Sequence, residues 1–226
     1  YIKDIKSTTF YDIKTPFTNL SYQTGGSTYR KQDHVKFIFS ASPSKKLNVG
    51  LNLDYIYSIG EYANQATMRF AGDLSGRYSG KHYSAYALMS VNNLKAQENG
   101  GISDLSLLID PLGTKTYDFP TYIKNAQSGF NKQSFYYNHN YSIGINRQVK
   151  EKNDSIRFEY IPVTHFGHTI KYEEMRKRYY ENSVDTVFYA NTYLAKTGAF
   201  ADTAVVRTLD NTFFISLDEK FNKWMK

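Results

Sequence analysis

Between Leu47 and Gly60 the chain alternates with period two. Leu47, Val49, Leu51, Leu53, Tyr55, Tyr57 and Ile59 take the odd positions, and Asn48, Gly50, Asn52, Asp54, Ser58 and Gly60 take the even ones, with Ile56 the single apolar intruder. Alternation of this kind puts one set on each side of a β-strand. At roughly 3.3 Å per residue the stretch reaches about 46 Å, whereas strands of soluble sheets usually hold about five or six residues. Crossing a bilayer at a tilt accounts for such a length, because about 9–11 residues span the hydrocarbon and the rest project into water. The polar set Asn48, Asn52, Asp54 and Ser58 is then expected to face a wet interior.

Mean hydropathy is low, at −0.56, and no run of eighteen apolar residues occurs, which excludes a transmembrane helix. Barrel strands escape that test because every second residue is polar. Twenty-one of the aromatic residues are Tyr, against one Trp. Tyr is both a strand former and a residue suited to a membrane interface. The absence of cysteine fits a cell-envelope protein. The net charge of +7 raises nucleic acid as a partner. However, the basic residues are scattered, and the densest cluster, Arg176-Lys177-Arg178, sits beside Glu173, Glu174 and Glu181. No nucleic-acid-binding module accompanies the charge, so no such partner is expected. The opening Tyr1-Ile2-Lys3 has neither a Met nor the layout of a signal peptide, and is expected to be processed or to belong to a longer chain.

Further alternating stretches are expected as strands near Phe10–Tyr22, Val35–Ala41, Met68–Tyr78, Tyr83–Asn92, Phe135–Asn146, Ile156–Tyr172 and Leu209–Leu217. Pro162, inside one of them, predicts a bulge. Lys95–Lys132 and Glu173–Val206 show no alternation and are expected as long loops. Pro43–Lys46, Ser79–His82 and the charged stretch Arg147–Asp154 are expected as short turns. Short turns and longer connections alternate along the chain. That pattern predicts an all-β fold, an antiparallel up-and-down transmembrane β-barrel with about eight strands here, forming one body over residues 1–226.

The chain resembles a known family, the putative porins of Bacteroidetes outer membranes. The resemblance lies in Thr15-Pro16-Phe17-Thr18-Asn19-Leu20-Ser21-Tyr22, Asp33-His34-Val35-Lys36 and Leu47-Asn48-Val49-Gly50-Leu51-Asn52-Leu53-Asp54-Tyr55. It continues through Glu98-Asn99-Gly100-Gly101-Ile102, Ile161-Pro162-Val163-Thr164, Asn211-Thr212-Phe213 and Phe221-Asn222-Lys223-Trp224. It implies a single-chain outer-membrane barrel, without a catalytic or metal motif, of which this chain is an internal portion. Outer-membrane lipid, small polar solutes and other envelope proteins are the partners it implies.

Candidate chemistry is sparse. His165 and His168 invite a metal reading, but residues three apart on a strand point to opposite faces. His139 falls on an apolar face without a serine on the neighbouring strand to activate. No phosphate-binding loop opens a helix. No enzyme activity, cofactor or metal is therefore expected. Asn52, Asp54, Arg69, Asp73, Arg77, Asn138, Asn140, Arg157 and Glu159 share the polar parity of their strands. They are expected to line an aqueous lumen for passive diffusion of small hydrophilic solutes across the bacterial outer membrane, with Lys95–Lys132 as a candidate constriction. A non-conducting outer-membrane scaffold and a soluble, aromatic-rich carbohydrate-binding module are the competing readings.

If the odd positions of Leu47–Ile59 meet lipid, Leu51→Arg near the midplane should lower stability by about 2–4 kcal/mol and Asn52→Arg by much less. Urea titration of the protein folded in liposomes measures both, and equal penalties would refute the facing.

Overall fold

The computed structural model describes residues 5, 8–110, 113–150, 156–182, 188–189 and 199–218. The two-residue period becomes eight strands: β1 Phe17–Gly25, β2 Gln32–Ser44, β3 Leu47–Ser58, β4 Thr67–Ser79, β5 Tyr83–Glu98, β6 Ala126–Lys150, β7 Ile156–Glu181 and β8 Phe200–Leu217. They form one antiparallel sheet in chain order. Among the described residues no ladder joins β1 to β8, so both are edges. Short turns lie at one end of the sheet: Lys46 N–H donates to Ser44 Oγ at 3.3 Å in the first, and Gly80 N–H to the Tyr83 carbonyl at 2.8 Å in the second. Of the expected 147–154 turn, residues 147–150 continue β6 and 151–154 lie outside the described residues, as does the Phe221–Trp224 motif.

Several strands run further than hydrophobic alternation indicates. β5 continues to Glu98, β6 starts at Ala126, β7 continues to Glu181 and β8 starts at Phe200, so both expected long loops are shorter than predicted. In these extensions both faces carry polar side chains, such as Glu174, which takes Arg176 at 2.9 Å and Arg207 at 2.8 Å. The backbone ladder persists where alternation has stopped. At the N-terminus the correction is the reverse, because β1 begins only after Pro16.

The register sets two faces. One row of paired residues reads Asn52, Asp73, Ser90, Ser134, Glu173 and Thr208 across β3 to β8. The row one residue along reads Leu51, Leu74, Met89, Phe135, Tyr172 and Leu209 and lies on the opposite face. Burial is inverted relative to a soluble sheet. Ser40 is 0% exposed and Asp73 3%, whereas Leu74 is 53% exposed, Met89 57% and Phe213 74%. Among the described residues no second layer covers the apolar face, and a sheet that curves toward its polar side screens that side in this way.

The apolar face also drifts across the ladder. Tyr57 on β3 is the last large residue of its band at that end, and its row passes through Met68, Lys95 and Gly129 to Arg178 on β7. On β7 the band stops instead at Tyr172, six residues lower. Over four strand steps that is about 20 Å along the strands for about 19 Å across them, so a level band requires a slant of roughly 45°.

Register shifts fall at two places, between Ala41 and Ser44 on β2 and in the β6–β7 ladder, and the second resets the parity of β7. Ile143 pairs with Thr164 but Gly144 pairs with Pro162, which leaves Val163 as the extra residue of a bulge. Pro162 has no N–H to lose, and the Val163 carbonyl accepts the Asp218 N–H at 2.9 Å, so neither of these positions adds an orphaned group there. At Gly144 the opposing backbone comes close enough that a Cβ would collide with the Ile161 carbonyl and Pro162 Cα. Gly144→Ala should therefore destabilise by about 1–3 kcal/mol, while Gly76→Ala, where a Cβ meets nothing within 4 Å, should change little; urea midpoints of the two variants measure the difference.

Candidate functional site: the polar face of the sheet

Side chains on the polar face satisfy one another along and across strands. Asn52 donates to Asp73 Oδ1 at 2.7 Å. Arg69 donates to Asp54 Oδ1 at 2.6 Å, and His34 Nε2 reaches the same oxygen at 3.1 Å. Asn138 donates to Thr169 Oγ1 at 2.6 Å and Asn140 to Asn138 Oδ1 at 3.3 Å. Arg77 meets Asp12 at 3.1 Å. Asn52, Asp54, Arg69, Asp73, Arg77, Asn138 and Asn140 thus share one face, as their parity predicts.

Arg157 and Glu159 do not join them. The register pairs Glu159 with Arg147 and Arg157 with Val149, on the parity of Ile143 and Ile145. The bulge at Val163 causes this, since one inserted residue exchanges the faces of everything beyond it. The side chain of Arg157 lies outside the described residues.

Asn48 lies on this face with Asn52, and Lys132, Lys171 and Glu173, which were not among the sequence candidates, lie there too. Lys132 and Lys171 flank Glu173 at 2.8 and 2.7 Å. Asn48 donates to Ser40 Oγ at 3.2 Å, to the Ala41 carbonyl at 3.1 Å and to Ser42 Oγ at 3.1 Å. Parity marks Asn48 directly. Lys132 and Glu173 sit at the ends of stretches where alternation fails, and only the register assigns them.

The histidines separate by face, as their spacing predicts. His165 is on the polar side, with Nδ1 3.0 Å from Ser142 Oγ and Nε2 3.2 Å from Asp218 Oδ2. In hydrolytic triads the carboxylate holds Nδ1 and the serine meets Nε2. Here the order is reversed, and the chain of contacts clips β6, β7 and the end of β8 together. His168 is on the apolar side, stacked 4.2 Å from Phe213, 3.2 Å from His139 Nε2 and 2.6 Å from Asn211 Oδ1. Nearby, the Tyr83 and Tyr137 hydroxyls are 2.6 Å apart. These polar groups on the apolar face therefore partner one another. Among the described residues no group of three or more His, Cys, Asp or Glu could hold a metal ion.

Two segments approach the ends of the sheet. Residues 8–16 cross the polar face near the short turns, with Phe10 edge-on to Tyr86 at 5.3 Å. A cavity of about 650 Å³ beside them is lined by Asp12, Lys14, Lys45, Asn48 and Arg77 among others. At the opposite end the connection 99–125, which contains the single-turn helix α1 (Ser106–Ile109), folds over the β1–β2 and β3–β4 connections. Tyr117 stacks on Tyr29 at 4.2 Å, and Thr116 donates to Glu61 at 2.8 Å while Glu61 pairs with Arg30. Phe119 and Ile123 are buried there. Desolvation and the Tyr29 hydroxyl push the Tyr117 phenol upward.

A single-layer, up-and-down antiparallel sheet that buries polar side chains and exposes apolar ones has the arrangement of a β-barrel wall. No helix among the described residues is long and apolar enough to cross a membrane, which says nothing of strands. The family described as "Putative porin" matches residues 1–226, and the chain belongs to it. None of the curated proteins matches it, and none of the solved structures does.

Asp54 accepts from two partners on a screened face. Asp54→Asn should therefore lose about 1–3 kcal/mol of stability, against less than about 0.5 kcal/mol for the exposed Asp202→Asn, both read from denaturant unfolding followed by far-UV circular dichroism.

Proposed function

We propose that the chain forms part of the wall of an outer-membrane channel through which small hydrophilic solutes diffuse passively, without catalysis and without a cofactor. The supporting observation is the inverted burial: polar side chains from Ser40 to Glu173 are screened, while Leu74, Met89 and Phe213 are exposed. Hydrocarbon stabilises that exposure, and a wet lumen solvates the polar set. Both edges carry unpaired backbone groups that lipid cannot satisfy, so further strands complete the wall. Selectivity comes from lumen width and from the field of Asp54, Asp73, Arg69 and Arg77. Residues 8–16 narrow the path at the short-turn end, replacing the 95–132 connection as the principal constriction on the polar face.

Planar-bilayer recording tests this reading. Full-length protein should conduct, and Asp54→Asn with Asp73→Asn should shift the reversal potential under a KCl gradient toward anion preference. A protein that inserts but does not conduct would instead be a scaffold, and one that stays soluble without detergent would be a binding module. Long connections outside and short turns inside give the orientation, so a cysteine at Asn99 should label on intact cells and one at Lys45 should not.

A further inference from the structure

The outer face changes character on one side of the sheet, just beyond the apolar band. Val91, Phe135, Tyr172 and Leu209 are exposed members of that band. The next residues of the same parity toward the long connections are Asn93 on β5, Gln133 on β6, Glu174 on β7 and Arg207 on β8, and beyond them come Lys95, Asn131, Arg176 and Arg178. Asn93, Lys95, Asn131, Gln133, Arg176 and Arg178 line a groove of about 390 Å³ together with Glu174. Three cations of that groove, Lys95, Arg176 and Arg178, face one carboxylate. Glu174 is already engaged by Arg176 and Arg207, and among the described residues Lys95 and Arg178 make no ion pair.

A merely solvated wall gives no reason for that excess. On the polar face at the same height Lys132 and Lys171 both reach Glu173, so those two cations have a carboxylate within reach, whereas Lys95 and Arg178 on the outer face make no ion pair among the described residues. The groove combines guanidinium forks, an ammonium and carboxamides above with bare apolar surface below. That combination suits a phosphate monoester carried on acyl chains: Arg binds phosphate oxygens in a bidentate manner, and the chains lie along Phe135, Tyr172 and Leu209. We infer that this groove binds the phosphorylated headgroup of an outer-leaflet lipid. The inference rests on the outer-membrane reading and on the long connections facing outward.

The full chain in phosphatidylethanolamine nanodiscs, doped with bis-phosphorylated lipid A or with its dephosphorylated form, provides the test. Native mass spectrometry counts the lipid retained. The phosphorylated form should be retained in preference. Lys95→Gln should weaken its binding roughly fivefold and Lys95→Gln with Arg178→Gln roughly thirtyfold, whereas Lys45→Gln with Lys46→Gln, at the short turn, should leave it unchanged. Equal retention of the two lipids, or unchanged binding in both groove variants, overturns the inference. If that happens while an Asn99 cysteine still labels from outside, the groove assignment fails alone; labelling from inside refutes the orientation beneath it.

Discussion

Backbone N–H and C=O groups in a single-layer sheet find their partners on the strand beside them, because among the described residues no second sheet and no long helix packs against it. That dependence explains why β6 and β7 hold 25 and 26 residues in one nearly unbroken ladder. It also explains why the ladder outlasts the hydrophobic pattern that announces it. Where the sheet leaves the apolar band, side-chain identity is free to change, and ion pairs such as those of Glu174 occupy positions that aromatics hold lower down. The backbone continues regardless.

How much could be read in advance follows from the same division. In β3 and β4 the alternation is broken only by small residues and Ile56, and parity alone puts Asn52, Asp54, Arg69, Asp73 and Arg77 on one face. Asn138 and Asn140 follow on β6. Arg157 and Glu159 were misplaced because parity is cumulative, and the single extra residue at Val163 reverses it. Pro162 signals that a bulge is present but not which side of it keeps the original facing. The extensions of β5 to β8 beyond the apolar band are hidden for a different reason: where both faces carry polar side chains, a strand and a loop have similar composition. Contacts such as Phe10 with Tyr86 or Tyr117 with Tyr29 join residues far apart in sequence, and no local pattern encodes them.

Polar residues on the apolar face show how such a surface can tolerate them. His139, His168 and Asn211 are consecutive in space on β6, β7 and β8, and each supplies what its neighbour lacks. Phe213 covers one imidazole face. A chain of mutual hydrogen bonds removes most of the penalty that an isolated imidazole would meet in an apolar medium. The same residues also tie three strands together near the edge of the sheet.

The slant of the strands has a geometric corollary. At roughly 45° each strand takes up about 7 Å of circumference, so eight closed on themselves would make a ring of about 55 Å, near 18 Å across between backbones. Side chains alone fill a ring of that size. Residues 8–16 nevertheless rest on the polar face, with Asp12 beside Arg77 and Phe10 beside Tyr86, and a further backbone layer needs about 10 Å of its own. A ring able to hold both that segment and open water must therefore have a longer perimeter than these eight strands supply, and the internal segment gives a lower bound on its bore.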